Sequence, residues 1–155
     1  HPERNKVVIP GHEAYLHPKK DEGISYNQGS GWANDWVTHW TDTEAYPYWE
    51  VEVVHPGIFE ITLMYNCAIE DVGSAFRIEI GEKQLDGKIT EAFVSEPKAS
   101  PDRVPRKEVY EKDWKPLRVG TVQINQGRYQ LKVKALSKPG NEVMELKAIQ
   151  IVKAD

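Results

Sequence analysis

Trp32, Trp36, Trp40, Tyr46, Tyr48 and Trp49 fall within one short stretch that holds most of the tryptophan of the chain. Aromatic rings stack on the C–H patches of sugars while neighbouring polar groups bond the hydroxyls, so this stretch could form a sugar platform. A packing role competes with it: Trp49 alternates in phase with Val51 and Val53, and Trp36 and Trp40 share a strand face, as core residues do. Trp32 and Trp36 lie among Gly, Ser and Asn, a composition that suits a loop. A second platform follows in Arg103, Arg106, Lys107, Tyr110, Lys112, Trp114 and Lys115, which mix cationic donors with aromatic faces and suit sulfate or carboxylate groups on a polysaccharide. Glu108, Glu111 and Asp113 dilute that charge, and a solvated loop with internal ion pairs is the competing reading.

Catalytic patterns fail on their spacing. His12 and His17 stand five apart around Glu13, one residue beyond the i, i+4 geometry of a zinc-protease helix, and are read as two surface histidines on an early strand. Ser95-Glu96-Pro97-Lys98-Ala99 has the outline of a sulfatase nucleophile motif but carries Ala99 at the required Arg position. Cys67 falls where a strand from Phe59 to Met64 would end, with no base nearby in sequence, and reads as a buried inert thiol. The chain contains no Gly-rich phosphate loop and no Gly-x-Ser-x-Gly elbow.

The elements that must carry these residues are strands. Gly127 to Ala135 alternates polar and apolar, with Tyr129, Leu131, Val133 and Ala135 on one face, and the same period recurs in 49–53, 59–63 and 76–80. His55-Pro56-Gly57 and Asn125-Gln126-Gly127 each separate two such runs and predict hairpins. The run 143–151 changes phase near Ala148, which predicts a bulge. No window carries helical periodicity with caps, so the class is all-β: a two-sheet β-sandwich, a jelly roll of about eight or more strands. Two irregular stretches interrupt it, Tyr26 to Trp36 and the Pro-rich, charged Glu96 to Pro116, and long ordered connections are often functional.

With 155 residues, 39% apolar and 28% charged, the chain is expected to form a single domain spanning 1–155. A net charge of -4 supplies no basic face for general nucleic-acid binding, and no apolar run approaches the ~18–20 residues of a membrane span. His1-Pro2-Glu3-Arg4 lacks the apolar region of a signal peptide, so the chain reads as mature or as cut from something longer. The single Cys67 permits neither an intrachain disulfide nor a multi-cysteine zinc site.

Thr38-His39-Trp40-Thr41-Asp42-Thr43-Glu44, Trp49-Glu50-Val51-Glu52-Val53 and Gly57-Ile58-Phe59-Glu60-Ile61 occur in that order. They are followed by Met64-Tyr65-Asn66-Cys67, Glu70-Asp71-Val72-Gly73-Ser74, Lys88-Ile89-Thr90-Glu91-Ala92, Asp102-Arg103-Val104-Pro105-Arg106, Lys112-Asp113-Trp114-Lys115-Pro116-Leu117 and Pro139-Gly140-Asn141-Glu142-Val143-Met144. From about Ile9 to Ile151 this series resembles the accessory domain that follows the catalytic domain in secreted bacterial sulfatases of the arylsulfatase type. That family is similar to carbohydrate-binding modules of the galactose-binding-like β-sandwich type. The resemblance implies a galactose-binding-like jelly roll, a secreted or periplasmic location, and a structural calcium with Glu13 as its natural ligand. Such modules often complete a site with an Asn before the last strand; here Val143 and Met144 stand there, with Asn141 slightly upstream.

Two expectations follow. In one, the chain is a noncatalytic carbohydrate-binding module of a sulfatase or glycoside hydrolase. Trp32, Trp36 and Trp114 would stack on a polysaccharide or oligosaccharide with Tyr110 in the same platform, and Arg103 and Arg106 would pair with its anions. In the other, the domain packs against the catalytic domain and binds no sugar. An independent hydrolase is not expected, because no catalytic motif is present.

Overall fold

A computed structural model describes residues 6–28, 35–95 and 113–154. Among these described residues eleven strands follow in chain order: β1 (Lys6–Pro10), β2 (Tyr15–His17), β3 (Ser25–Tyr26), β4 (Val37–Thr38), β5 (Tyr46–Val53), β6 (Gly57–Asn66), β7 (Ala75–Ile80), β8 (Lys83–Lys88), β9 (Lys115–Ile124), β10 (Gly127–Ser137) and β11 (Glu145–Lys153). The helical content of the described residues is two short 3-10 turns, Gly11–Glu13 and Ile69–Asp71.

The strands form two antiparallel sheets. Sheet A runs β3-β4-β11-β6-β9, with β1 also pairing β11; sheet B runs β2-β5-β10-β7-β8. Alternation decides which side of each strand meets the other sheet. Ile61, Leu63, Tyr65, Leu146 and Ile149 of sheet A and Trp49, Leu131, Val133, Phe76, Ile78 and Ile80 of sheet B are all buried in one core. Trp40 lies in the same core with its indole N–H donated to the Ala45 carbonyl at 2.9 Å, and the Trp49 indole reaches the Pro10 carbonyl at the same distance. Each buries a large ring without orphaning its donor.

The structure is the two-sheet β-sandwich that the alternation predicts, and the four alternating runs are strands β5, β6, β7 and β10. The phase change in the last run is a bulge, with the register of β11 on β6 shifting between Leu146 and Ala148. The two predicted hairpins are not hairpins. His55-Pro56-Gly57 carries the chain from β5 in sheet B to β6 in sheet A, and Asn125-Gln126-Gly127 carries it from β9 in sheet A to β10 in sheet B. Turn chemistry specifies a reversal, whereas the strand reached afterwards depends on pairing partners far along the chain. A tight hairpin joins β7 to β8 through Gly81-Glu82, with Ile80 paired to Lys83 and Gly81 at φ 58.

Two strands escape the pattern for physical reasons. β8 is a mostly exposed edge strand, and so has little apolar alternation to show. β9 changes phase where the ladder shifts between Ile61 and Thr62, and it carries Pro116, which an edge strand tolerates. The early histidines share no strand: His12 lies half-buried in the first 3-10 turn, and His17 is exposed on β2.

Candidate functional site

Register brings one row of side chains to the outer face of sheet A. Leu146 pairs Val37, which sets Glu145 beside Thr38; Glu145 pairs Asn66; and Tyr65 pairs Lys115, which sets Trp114 at the level of Asn66. Trp36, directly before β4, leans over this row and meets Trp114 edge to face, with centroids 5.3 Å apart at 62°. Glu145 organises its near side. Its Oε2 accepts from the Thr38 hydroxyl at 2.7 Å and from the Trp36 indole N–H at 3.4 Å.

The same end of sheet A anchors both segments that the sequence singled out as irregular. Asn27 donates its N–H to the Trp36 carbonyl at 3.0 Å, and Gln28 donates its N–H to the Asp35 carboxylate at 2.8 Å, so the two ends flanking 29–34 are tied together. Asn66, buried at 3% exposure, does the same for 96–112. Its amide donates to the Asp113 carbonyl at 2.9 Å and accepts from the Ser95 N–H at 2.8 Å, while the Asp113 N–H reaches the Ser95 hydroxyl at 2.9 Å. Both side-chain poles of one amide are thus satisfied by backbone on either side of 96–112.

Trp36 and Trp114 are therefore brought together, Trp36 buried at 9% exposure and Trp114 half-buried. Trp32, Arg103, Arg106 and Tyr110 lie outside the described residues. Glu13 is exposed on the first 3-10 turn. Among the described residues no group of three or more His, Cys, Asp or Glu side chains is placed to hold a metal ion.

The ionisable groups near this end are tuned by burial. Burial pushes the Cys67 thiol up to about 11, and the charges of Asp71, Glu142 and Glu70 add to the shift. That leaves no thiolate for nucleophilic chemistry at neutral pH. Burial also raises the Glu142 carboxyl, opposed by nearby His39 and reinforced by Glu145 and Asp71. It lowers the Lys147 ammonium, which Asp35 partly restores.

Sequence reasoning missed the Asn66 clasp, because no local pattern distinguishes an Asn that bonds two distant backbones. It also missed that Tyr46 and Tyr48, and with them Tyr15 and His17, stand on the outer face of sheet B. Here a signal existed: Tyr46-x-Tyr48-x-Glu50 alternates against buried Trp49 and half-buried Val51.

No protein-family model matches the sequence, and no curated protein matches it. Solved structures do. The chain aligns over 96% of its length with the whole of the C-terminal CBM6 of LamC, a marine laminarinase from Zobellia galactanivorans, at TM-score 0.65 and 15% identity. It aligns over 97% of its length with 28% of the Podospora anserina GH26-CBM35 β-(1,4)-mannanase, at TM-score 0.60 and 10% identity. Over 97% of its length it also matches 24% of the Cry4Aa mosquito-larvicidal toxin from Bacillus thuringiensis, at TM-score 0.66 and 14% identity. The chain thus spans about a quarter of the latter two proteins. At such identities the likeness defines the class by fold: a β-sandwich of the kind found in carbohydrate-binding modules.

Proposed function

We propose that this chain is a noncatalytic glycan-binding module that works beside a polysaccharide-degrading catalytic domain, a sulfatase or a glycoside hydrolase, in a secreted or periplasmic enzyme. The observation that carries the reading is the convergence, at one end of sheet A, of the anchors of both irregular segments with the Trp36–Trp114 pair. Trp114 offers the half-buried ring for stacking. Trp32, Tyr110, Arg103 and Arg106, borne on the two anchored segments, supply further rings and forked donors for a sulfated or carboxylated glycan. The sandwich it shares with solved carbohydrate-binding modules supports the reading. So does the series of motifs resembling sulfatase accessory domains, from which the sulfatase alternative comes.

A specific observation favours a second reading, that of a structural domain packed on its catalytic partner. Trp36 is buried and its N–H is committed to Glu145, so this ring supports Trp114 instead of meeting solvent. Titrating tryptophan fluorescence with neutral, uronic and sulfated polysaccharides separates the two. Saturable quenching by an anionic glycan, abolished in Trp114→Ala and weakened by salt, is expected for the binding module. Silence across the panel assigns the domain to packing.

A further inference from the structure

The β7–β8 hairpin carries a reactive dipeptide. Asp86-Gly87 is the one Asp-Gly pair of the sequence, which holds no Asn-Gly pair, and it lies on β8, the edge strand of sheet B. Asp-Gly is the pair most prone to internal cyclisation, because a residue without Cβ leaves its backbone nitrogen open to the carboxyl before it. In that step the Gly87 nitrogen bonds the Asp86 Cγ, and the carboxylic acid loses its hydroxyl, which leaves with the amide proton as water. Water then reopens the succinimide ring. Attack at Cγ returns aspartate, whereas attack at the main-chain carbonyl gives isoaspartate, with the chain rerouted through Cβ and Cγ.

The core requires the glycine and displays the acid. Gly87 pairs with the fully buried Phe76, and a Cβ at Gly87 would lie 2.5 Å from the tip of that ring. Asp86 alternates to the other face, where half of its side chain is exposed. Arg77 stands directly opposite it in the ladder and takes the carboxylate in a fork, Nε donating to Oδ1 at 2.7 Å and Nη2 to Oδ2 at 3.1 Å. The fork opposes cyclisation in two ways. Both oxygens are held across the ladder toward β7, so the carboxyl is not free to rotate onto the Gly87 nitrogen. The hydrogen bonds from Arg77, with its charge, also hold the Asp86 carboxyl below its ordinary value, and an ionised carboxylate has no hydroxyl to lose.

We infer that Asp86-Gly87 is a site of spontaneous isoaspartate formation and that Arg77 is the positioning residue that holds it closed in the folded chain. The inference is independent of what the domain binds. Conversion adds a backbone carbon between Leu85 and Gly87, which breaks the register of β8 on β7. Leu85 lines one seam with Ile61, Ile78, Ile80 and Val122, and loses its seat there when the register is lost. The modified chain is therefore opened along the edge where β8 closes the sandwich.

The test incubates the full chain for weeks at near-neutral pH and physiological temperature, in buffer and in guanidinium chloride, and counts isoaspartate at position 86 by peptide mapping and mass spectrometry. Native wild type should convert at least about tenfold more slowly than the denatured chain. Arg77→Gln should convert about tenfold faster than wild type in buffer, and Arg77→Lys at a rate between them, since an ammonium keeps the charge without the fork. Glu79→Gln breaks the 3.4 Å pair with Lys134, which joins the same strand to β10, and should keep the wild-type rate. In denaturant all four chains should convert alike. Should Arg77→Gln unfold, the comparison of Arg77→Lys with wild type carries the test. The inference is overturned if native wild type converts as fast as the denatured chain, or if neither Arg77 variant changes the rate. It is overturned too if Glu79→Gln accelerates conversion as much as Arg77→Gln, which would assign the protection to strand pairing alone.

Discussion

Cys67 and Asn66 are neighbours in sequence with opposite employments. The Cys67 thiol, buried at 4% exposure and raised to about 11, should resist a disulfide reagent at pH 8 in the native chain and react at once in urea; rapid native labelling would contradict its burial. Asn66 spends both ends of its amide on backbone at Ser95 and Asp113. Asn66→Ala leaves those backbone groups without their partner and should cost about 1–3 kcal/mol in urea denaturation. It should also weaken any binding that depends on the segment these two residues anchor. Asn66→Asp restores the acceptor for Ser95 but not the donor for Asp113, and is expected to recover only part of the loss.

At the scale of elements, the β7–β8 hairpin depends on one backbone conformation. Gly81 has φ 58, and a Cβ placed there would come within 2.7 Å of the Tyr129 ring. Gly81→Ala therefore combines left-handed strain with a clash and should lower the urea midpoint by the equivalent of about 1–2 kcal/mol or more. The m-value should stay unchanged, since the same surface is exposed on unfolding. This turn was open to sequence reasoning in principle, as a Gly between two short runs, but β8 buries little and its exposed Lys, Gln and Asp hide the alternation. The reverse error arose at 55–57 and 125–127. There the turn residues were right and the partner strands wrong, because a reversal onto the opposite sheet and a hairpin within one sheet bury the same apolar faces in the same core.

For the whole molecule, one half-buried carboxyl contributes to the response to pH. Burial holds the Glu142 carboxyl above its ordinary 4.5, so the folded chain binds that proton more tightly than the unfolded chain. Its contribution to stability is present in full below pH 4.5 and declines as pH rises through the raised value. Glu142→Gln removes the term, and the stability of this variant relative to wild type should improve progressively from pH 4.5 toward 7 in denaturation curves; a constant difference would refute the assignment. The sequence by itself determined the all-β class, the strands β5, β6, β7 and β10, the bulge in β11 and the burial of Trp40, Trp49 and Cys67. Those follow from two-residue alternation and side-chain polarity, which are local. Only the tertiary structure decided that β5 and β6 lie in different sheets, that Trp36 is a buried support for Trp114, and that one Asn bonds the backbone of both Ser95 and Asp113. Each of these depends on which strands pair across long separations, a choice made by the fit of the entire core and carried by no single segment.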